Sequence, residues 1–165
     1  VWSEILKSIK NSKLILKSSI PLQTINIKKQ FKKYGVLDSV IFSGSKPFKE
    51  HLNLYNSIDI CLDTFPYNGV TTSFEALWMG VPVLTMKGYN FNSRCGESIN
   101  KNLNLMSMIA DDENDYISKA KEFSDKDKLV NTRNIVFDNL LKSPLFDGKK
   151  FSKEFLGSLE AIYNK

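Results

Sequence analysis

Residues 59–83 read Asp59-Ile60-Cys61-Leu62-Asp63-Thr64-Phe65-Pro66-Tyr67-Asn68-Gly69-Val70-Thr71-Thr72-Ser73-Phe74-Glu75-Ala76-Leu77-Trp78-Met79-Gly80-Val81-Pro82-Val83. The stretch spells a strand, a glycine-containing loop, a helix and the next strand. Ile58 to Leu62 is apolar and short, as a buried strand requires. Residues 72–79 have helical character and stop at Gly80, a favoured residue after a helix end. Val81 to Met86 is the following strand, with Pro82 near its start, where a missing N–H is tolerated. Thr71 and Thr72 stand where the loop becomes the helix. The first turn of a helix presents unpaired N–H groups and the positive end of its dipole, which together favour a phosphate.

The same alternation extends in both directions. Upstream, the pattern predicts a helix over 1–10, a strand at Leu14-Ile15-Leu16, and a loop around Pro21. A helix over 24–34 ending at Gly35, a strand at Val40-Ile41-Phe42 and a helix over 48–57 carrying His51 and Tyr55 follow. Downstream it predicts a helix over 92–101, a short strand over Leu105 to Ile109, and helices over 113–123, 126–141 and 149–163. Strands that are apolar on both faces and alternate with helices predict an α/β fold. This is a doubly wound parallel sheet of about five strands with helices on both faces, in one domain over residues 1–165. In such sheets ligands bind beyond the carboxyl ends of the strands at a topological switch point. Four loops should gather there: Ser43-Gly44-Ser45, Asp63 to Val70, Met86-Lys87-Gly88 and the one after Ile109.

Composition narrows the function classes. The chain has 165 residues, 42% hydrophobic and 25% charged, which suits a folded domain with a core of its own. The net charge of +5 fits an anionic partner, but the densest basic cluster, Lys28, Lys29, Lys32 and Lys33, lies on a helix face without an arginine stripe. It reads as a solvated face, and a nucleic-acid partner is not expected. No apolar run is long enough to span a membrane, and no signal peptide is evident. Cys61 and Cys95 are not in a C-x-x-C pair, which argues against zinc and thioredoxin-like readings and fits a reducing, cytoplasmic setting. With His51 as the single histidine, a His-Glu metalloprotease motif and a serine–histidine triad lack their parts. There is no G-x-G-x-x-G and no Walker lysine, which demotes NAD enzymes and P-loop kinases.

The candidate site is therefore built on the 69–75 segment. Gly69 lets backbone approach a ligand, and the hydroxyls and N–H groups of Thr71 and Thr72 can hold a diphosphate. Thr72-Ser73-Phe74-Glu75 also fits a capping box, in which threonine and glutamate satisfy the helix N–H groups instead. Glu75 can alternatively accept hydrogen bonds from ribose hydroxyls. His51 can meet a base or phosphate or be structural. Asp63 stands at a strand's carboxyl end, where it either contacts ligand or caps the loop. Arg94 can neutralise phosphate or form a surface ion pair. Phe74 and Trp78 read as core residues, and so does Cys61.

Taken together, the segment His51 to Arg94 resembles the C-terminal catalytic half of the protein O-GlcNAc transferases, Spindly-like and bacterial relatives included. The resemblance rests on His51, Asp59-Ile60-Cys61-Leu62-Asp63-Thr64, Asn68-Gly69, Thr71-Thr72, Glu75, Leu77-Trp78, Gly80, Pro82-Val83 and Ser93-Arg94. Ser143-Pro144-Leu145-Phe146 is similar to a late motif of the family. The resemblance implies a two-domain glycosyltransferase of the B type whose C-terminal half binds most of a UDP-sugar, UDP-GlcNAc above all. It implies that Thr71 and Thr72 hold the diphosphate, Glu75 the ribose hydroxyls, and that His51 lies beside the uridine. No metal is implied, since helix dipole and donors stabilise the leaving diphosphate. Phe48 and Val70 depart from the lysine and histidine that some relatives carry. The chain is expected to begin just after the family's active-site lysine, so that the N-terminal half and the acceptor-side residues lie elsewhere. The expected function is the donor-binding half of an inverting transferase acting on protein serine or threonine hydroxyls, inactive alone, its catalytic residues outside the chain. The alternatives are a transferase with a glycan or lipid acceptor and a non-catalytic nucleotide-binding or interaction domain.

Overall fold

The structure, a computed structural model, describes residues 1–17 and 21–164. In chain order the regular elements are α1 (Trp2–Ser8), β1 (Leu14–Lys17), α2 (Pro21–Lys33), β2 (Val40–Ser43), α3 (Phe48–Leu54), β3 (Cys61–Leu62), α4 (Thr71–Trp78), β4 (Val83–Met86), α5 (Cys95–Asn102), β5 (Ile109–Ala110), α6 (Glu113–Glu122), α7 (Lys126–Leu140) and α8 (Gly148–Tyr163). All strand pairings are parallel. Leu14 lies opposite Val40 and Lys17 opposite Ser43, while Cys61 faces Val83 and Thr85 faces Ile109. The alternation of strands and helices thus gives the α/β architecture with five parallel strands.

The sheet is divided, however. Its hydrogen-bonded ladders are β1-β2 and β3-β4-β5. Within the second, β4 is enclosed on both faces. Val83 is 3% exposed and Leu84 and Thr85 are fully buried, although successive side chains point to opposite sides. The α5 helix and α6 both lie against this strand. One large core spans Ala76, Leu77, Val81, Leu84, Leu103, Met108, Tyr116 and Val136, and a smaller one under β1 and β2 holds Leu6, Phe31, Val36 and Val40.

Several boundaries move for local reasons. Pro21 opens α2 rather than a loop, in the first helical turn where its missing N–H costs nothing; the rest of the loop expected there falls on residues 18–20, outside the described residues. The strand expected from Ile58 is confined to Cys61–Leu62, because the Ile58 amide bonds back to the Tyr55 carbonyl and its own carbonyl accepts from Arg133. The strand expected from Leu105 shrinks to Ile109–Ala110: the Leu105 amide returns to the Asn100 carbonyl, and a single turn of 3₁₀ helix occupies Met106–Met108.

Trp78 is not a core residue: it is 55% exposed. The buried stripe of α4 is Ser73, Ala76 and Leu77, and Trp78 lies one residue, about 100°, beyond it. Its ring and that of Phe74 instead pack on Phe146, each 5.7 Å away, so the Ser143–Phe146 motif clasps the outer side of α4. Gly80 ends α4 at φ +73 with the Phe137 ring against it, a backbone position that penalises any side chain. Beyond this, α8 buries no residue, although Phe151, Phe155 and Leu156 lie on it.

Candidate functional site

The site begins where β3 ends. Asp63 donates its amide to the Leu84 carbonyl, extending the ladder by one bond, and its buried carboxylate then organises the loop. Oδ1 accepts from the Gly69 N–H at 2.7 Å and Oδ2 from the Thr85 hydroxyl at 2.7 Å. The Asp63 carbonyl accepts from the Tyr116 hydroxyl, reached from α6. Asn68 closes the loop from the other side. Its Nδ2 donates to the Thr64 carbonyl, and its Oδ1 accepts from Gly96 at the start of α5. A Cβ on Gly69 would sit 2.6 Å from the Thr72 hydroxyl, and one on Gly96 would sit 2.2 Å from that of Thr85, so both positions require glycine. The loop is thus held rigidly from beneath by polar groups that face inward. The Asp63 role as a loop organiser, rather than a ligand group, follows from its burial.

This scaffold presents the first turn of α4. Residue 70 is its N-cap and supplies no side-chain cap, and the capping box expected between Thr72 and Glu75 does not form. Thr71 and Thr72 are exposed, and among the described residues neither hydroxyl has a hydrogen-bond partner. The opening turn of the helix therefore faces outward with its donors free.

Glu75 has turned away from the cap. Its Oε2 lies 3.0 Å from Nε2 of His51 on α3, and both side chains are largely enclosed. The His51 ring stands 5.4 Å from the Tyr55 ring, and its Nδ1 is buried without a partner. His51, Asp63, Gly69, Thr72 and Ser73 border a cavity of about 890 Å³. Sequence reading named His51, Gly69, Thr71, Thr72 and Glu75, and the structure gathers them at one end of the sheet. Phe48 and Val70, the two departures, are exposed apolar side chains, the first opening α3 and the second at the N-cap of α4.

Arg94 forms the ion pair rather than a free anchor: its Nε donates to Glu97 at 2.9 Å, and Lys101 reaches the other oxygen of the same carboxylate. These partners, Arg94 first, hold the Glu97 carboxyl below the usual range. Burial pushes the Asp63 carboxyl up, against the hydrogen bonds from Gly69 and Thr85. Burial likewise pushes the Cys61 thiol up to about 12, which makes it an inert core group. The residues that sequence reading missed are Asn68 as a loop tie, Thr85, Gly96 and Tyr116. The Asn-Gly pair and the glycine at the start of α5 were the available signals; nothing near Tyr116 in the chain points to Asp63, 53 residues away.

Over residues 1–155 the chain matches glycosyl transferase family 41. It belongs to that family. The Solanum lycopersicum protein named "Probable UDP-N-acetylglucosamine--peptide N-acetylglucosaminyltransferase SPINDLY" is 34% identical over 99% of this chain and 18% of its own length. The Caenorhabditis elegans UDP-N-acetylglucosamine--peptide N-acetylglucosaminyltransferase is 31% identical over 100% of this chain and 14% of its own. Among solved structures, a mutant of the Thermobaculum terrenum O-GlcNAc transferase superposes with a TM-score of 0.84 at 29% identity, covering 98% of this chain and 31% of that one. The family 41 chain therefore spans less than a fifth of the length of these two curated relatives. Among the described residues no helix is long and apolar enough to cross a membrane, and no three His, Cys, Asp or Glu side chains converge as a metal site.

Proposed function

We propose that this chain is the donor-binding part of an inverting glycosyltransferase that transfers N-acetylglucosamine from UDP to serine or threonine hydroxyls of proteins. The observation that carries the reading is the outward-facing first turn of α4, with Thr71 and Thr72 unpaired, beside the His51–Glu75 pair in a family 41 chain. The printed names of the relatives support the donor and the acceptor class.

In this reading the N–H groups and hydroxyls of Thr71 and Thr72 receive the diphosphate. Gly69 leaves its oxygens room to approach. Glu75 accepts from the ribose hydroxyls, and His51 lies against the uracil. As the glycosidic bond to the diphosphate breaks, negative charge grows on the leaving group, and donors already aimed at it stabilise that charge without reorganising. No metal is required for this step. Residues 1–165 act as one nucleotide-sugar-binding unit of a larger two-domain enzyme. Polypeptide outside them supplies the remaining catalytic and acceptor-side groups, so the chain alone binds donor without transferring sugar. The free thiols Cys61 and Cys95 fit a cytoplasmic setting.

Calorimetry with UDP and UDP-GlcNAc tests the reading. Thr72→Ala and Glu75→Ala should each weaken binding by about tenfold, the loss of one useful hydrogen bond. Unchanged affinity in both variants, or sugar transfer by the isolated chain, would refute it.

A further inference from the structure

The charges around the candidate site do not balance a diphosphate. Glu75 and Asp63 are both acidic, and the oxygens of the buried Asp63 carboxylate are taken by the Gly69 amide and the Thr85 hydroxyl rather than by a cation. His51 is committed to Glu75 at 3.0 Å. The residue that opens α3, Phe48, and the N-cap of α4, Val70, are apolar. What remains is the first turn of α4, whose dipole is equivalent to about half an elementary charge. A nucleoside diphosphate carries several times that charge, and two carboxylates stand close to its seat. Such a site needs a full cation to offset them.

Most neighbouring cations are engaged elsewhere. Arg94 and Lys101 share the Glu97 carboxylate, Lys87 pairs with Asp111, and Arg133 donates to the Ile58 carbonyl. The lysines that border the cavity are Lys10, Lys13, Lys17 and Lys126. Lys10 and Lys13 precede β1, and Lys13 donates to the Asp38 carbonyl just before β2. Lys126 opens α7, after α6 has run back from the carboxyl end of β5. These three therefore stand at the amino ends of the strands. Lys17 instead ends β1, opposite Ser43 at the end of β2. From Ser43 the chain passes through a short loop into α3, whose His51 meets Glu75 of α4. Lys17 thus lies at the end of the sheet where α4 begins, and it borders the same cavity as Gly69, Thr72 and Ser73. Its side chain is exposed, and among the described residues it makes neither an ion pair nor a hydrogen bond.

We infer that Lys17 is the cation that binds the donor's diphosphate, reaching it from the β1 side of the cavity while Thr71 and Thr72 hold it from the α4 side. The inference rests on the donor-binding function proposed above and adds to that site a residue from the other ladder. Lysine suits the position. Its ammonium is a compact charge with three donors on a flexible stem, so it can follow oxygens of either phosphate without a fixed bidentate geometry. A bound diphosphate then bridges the two ladders across the space that separates them.

The test is titration of the 165-residue chain with UDP, UMP, inorganic pyrophosphate and uridine, followed by calorimetry and by NMR shifts for the weaker ligands. Lys17→Gln should weaken UDP by about tenfold at low salt, UMP by less and uridine not at all. Lys17→Arg should restore most of the affinity, and the difference between Lys17→Gln and the parent should shrink as salt is added. Lys126→Gln, which removes a lysine at the opposite end of the same cavity, should change none of the four. Unchanged UDP affinity in Lys17→Gln would overturn the inference. So would an equal loss for uridine and UDP, which would mean that Lys17 acts through the fold and not on phosphate. The same titrations test the donor site separately. UDP binding that Thr72→Ala weakens and Lys17→Gln does not leaves the donor site standing and removes Lys17 from it. Pyrophosphate bound through Lys17 as tightly as UDP keeps Lys17 as an anion ligand and removes the uridine nucleotide. A chain that binds none of the four removes both.

Discussion

The β3-β4-β5 half and the β1-β2 half are built from the same kinds of element, yet they differ in how completely they enclose themselves. In the first, Ala76, Leu77, Leu84, Met108 and Tyr116 lose all solvent contact, and the polar groups beneath the site loop satisfy one another. In the second, the four core residues retain 6–9% exposure, and one edge of β1 faces a cavity. A parallel strand is stable when both faces and both edges are covered. In the half that carries the candidate site β4 meets this condition in full, whereas in the other half neither strand has both edges paired.

The largest effect that can break this comparison is a core truncation. Leu84→Ala should cost about 2–5 kcal/mol because the enclosed site cannot collapse. Leu16→Ala, against the cavity, should cost less than about 1.5 kcal/mol, since little area is removed from water. Urea unfolding measures both, and equal losses would abolish the distinction.

Added volume sharpens it next. Gly96→Ala drives a methyl group against Thr85 and Asp63 and should destabilise by about 1–3 kcal/mol. Gly44→Ala meets nothing within 4 Å, and its midpoint should stay within about 0.5 kcal/mol of the parent.

The pH dependence gives the two smaller effects. Burial raises the Asp63 carboxyl, so the native state holds its proton more tightly than the unfolded chain. That contribution is complete below the ordinary carboxylate value and is lost as pH rises through the raised one. Asp63→Asn should remove this decline when stability is followed between about pH 3 and 8. Glu97 has the opposite sign. Its lowered value gives stability present above the ordinary range and lost as pH falls through the lowered one. Glu97→Gln should therefore lower stability slightly at neutral pH and leave it unchanged in strong acid. A parent-like profile in either variant would show that the carboxylate carries no weight.

Much of the site was legible because its signals are local. Gly69, Thr71 and Thr72 announce a loop entering a helix, and the spacing from Thr72 to Glu75 places both on one turn. The same spacing also spelled a capping box, and only the approach of His51 from another helix decided that Glu75 turns away from the cap. Trp78 was misplaced because an aromatic beside a buried leucine reads as core until the buried stripe of α4 is known.

What the chain of residues determined by itself is the succession of strands and helices, their parallel pairing and the place where a loop enters the α4 helix, since these follow from hydrophobic period and glycine placement. Tertiary structure alone decided that Asp63 serves Gly69 and Thr85 inside the scaffold, that His51 meets Glu75, and that the sheet opens between β1 and β3. Each of these brings together groups far apart in sequence or leaves an edge without a partner, and no local pattern encodes a distance across the fold.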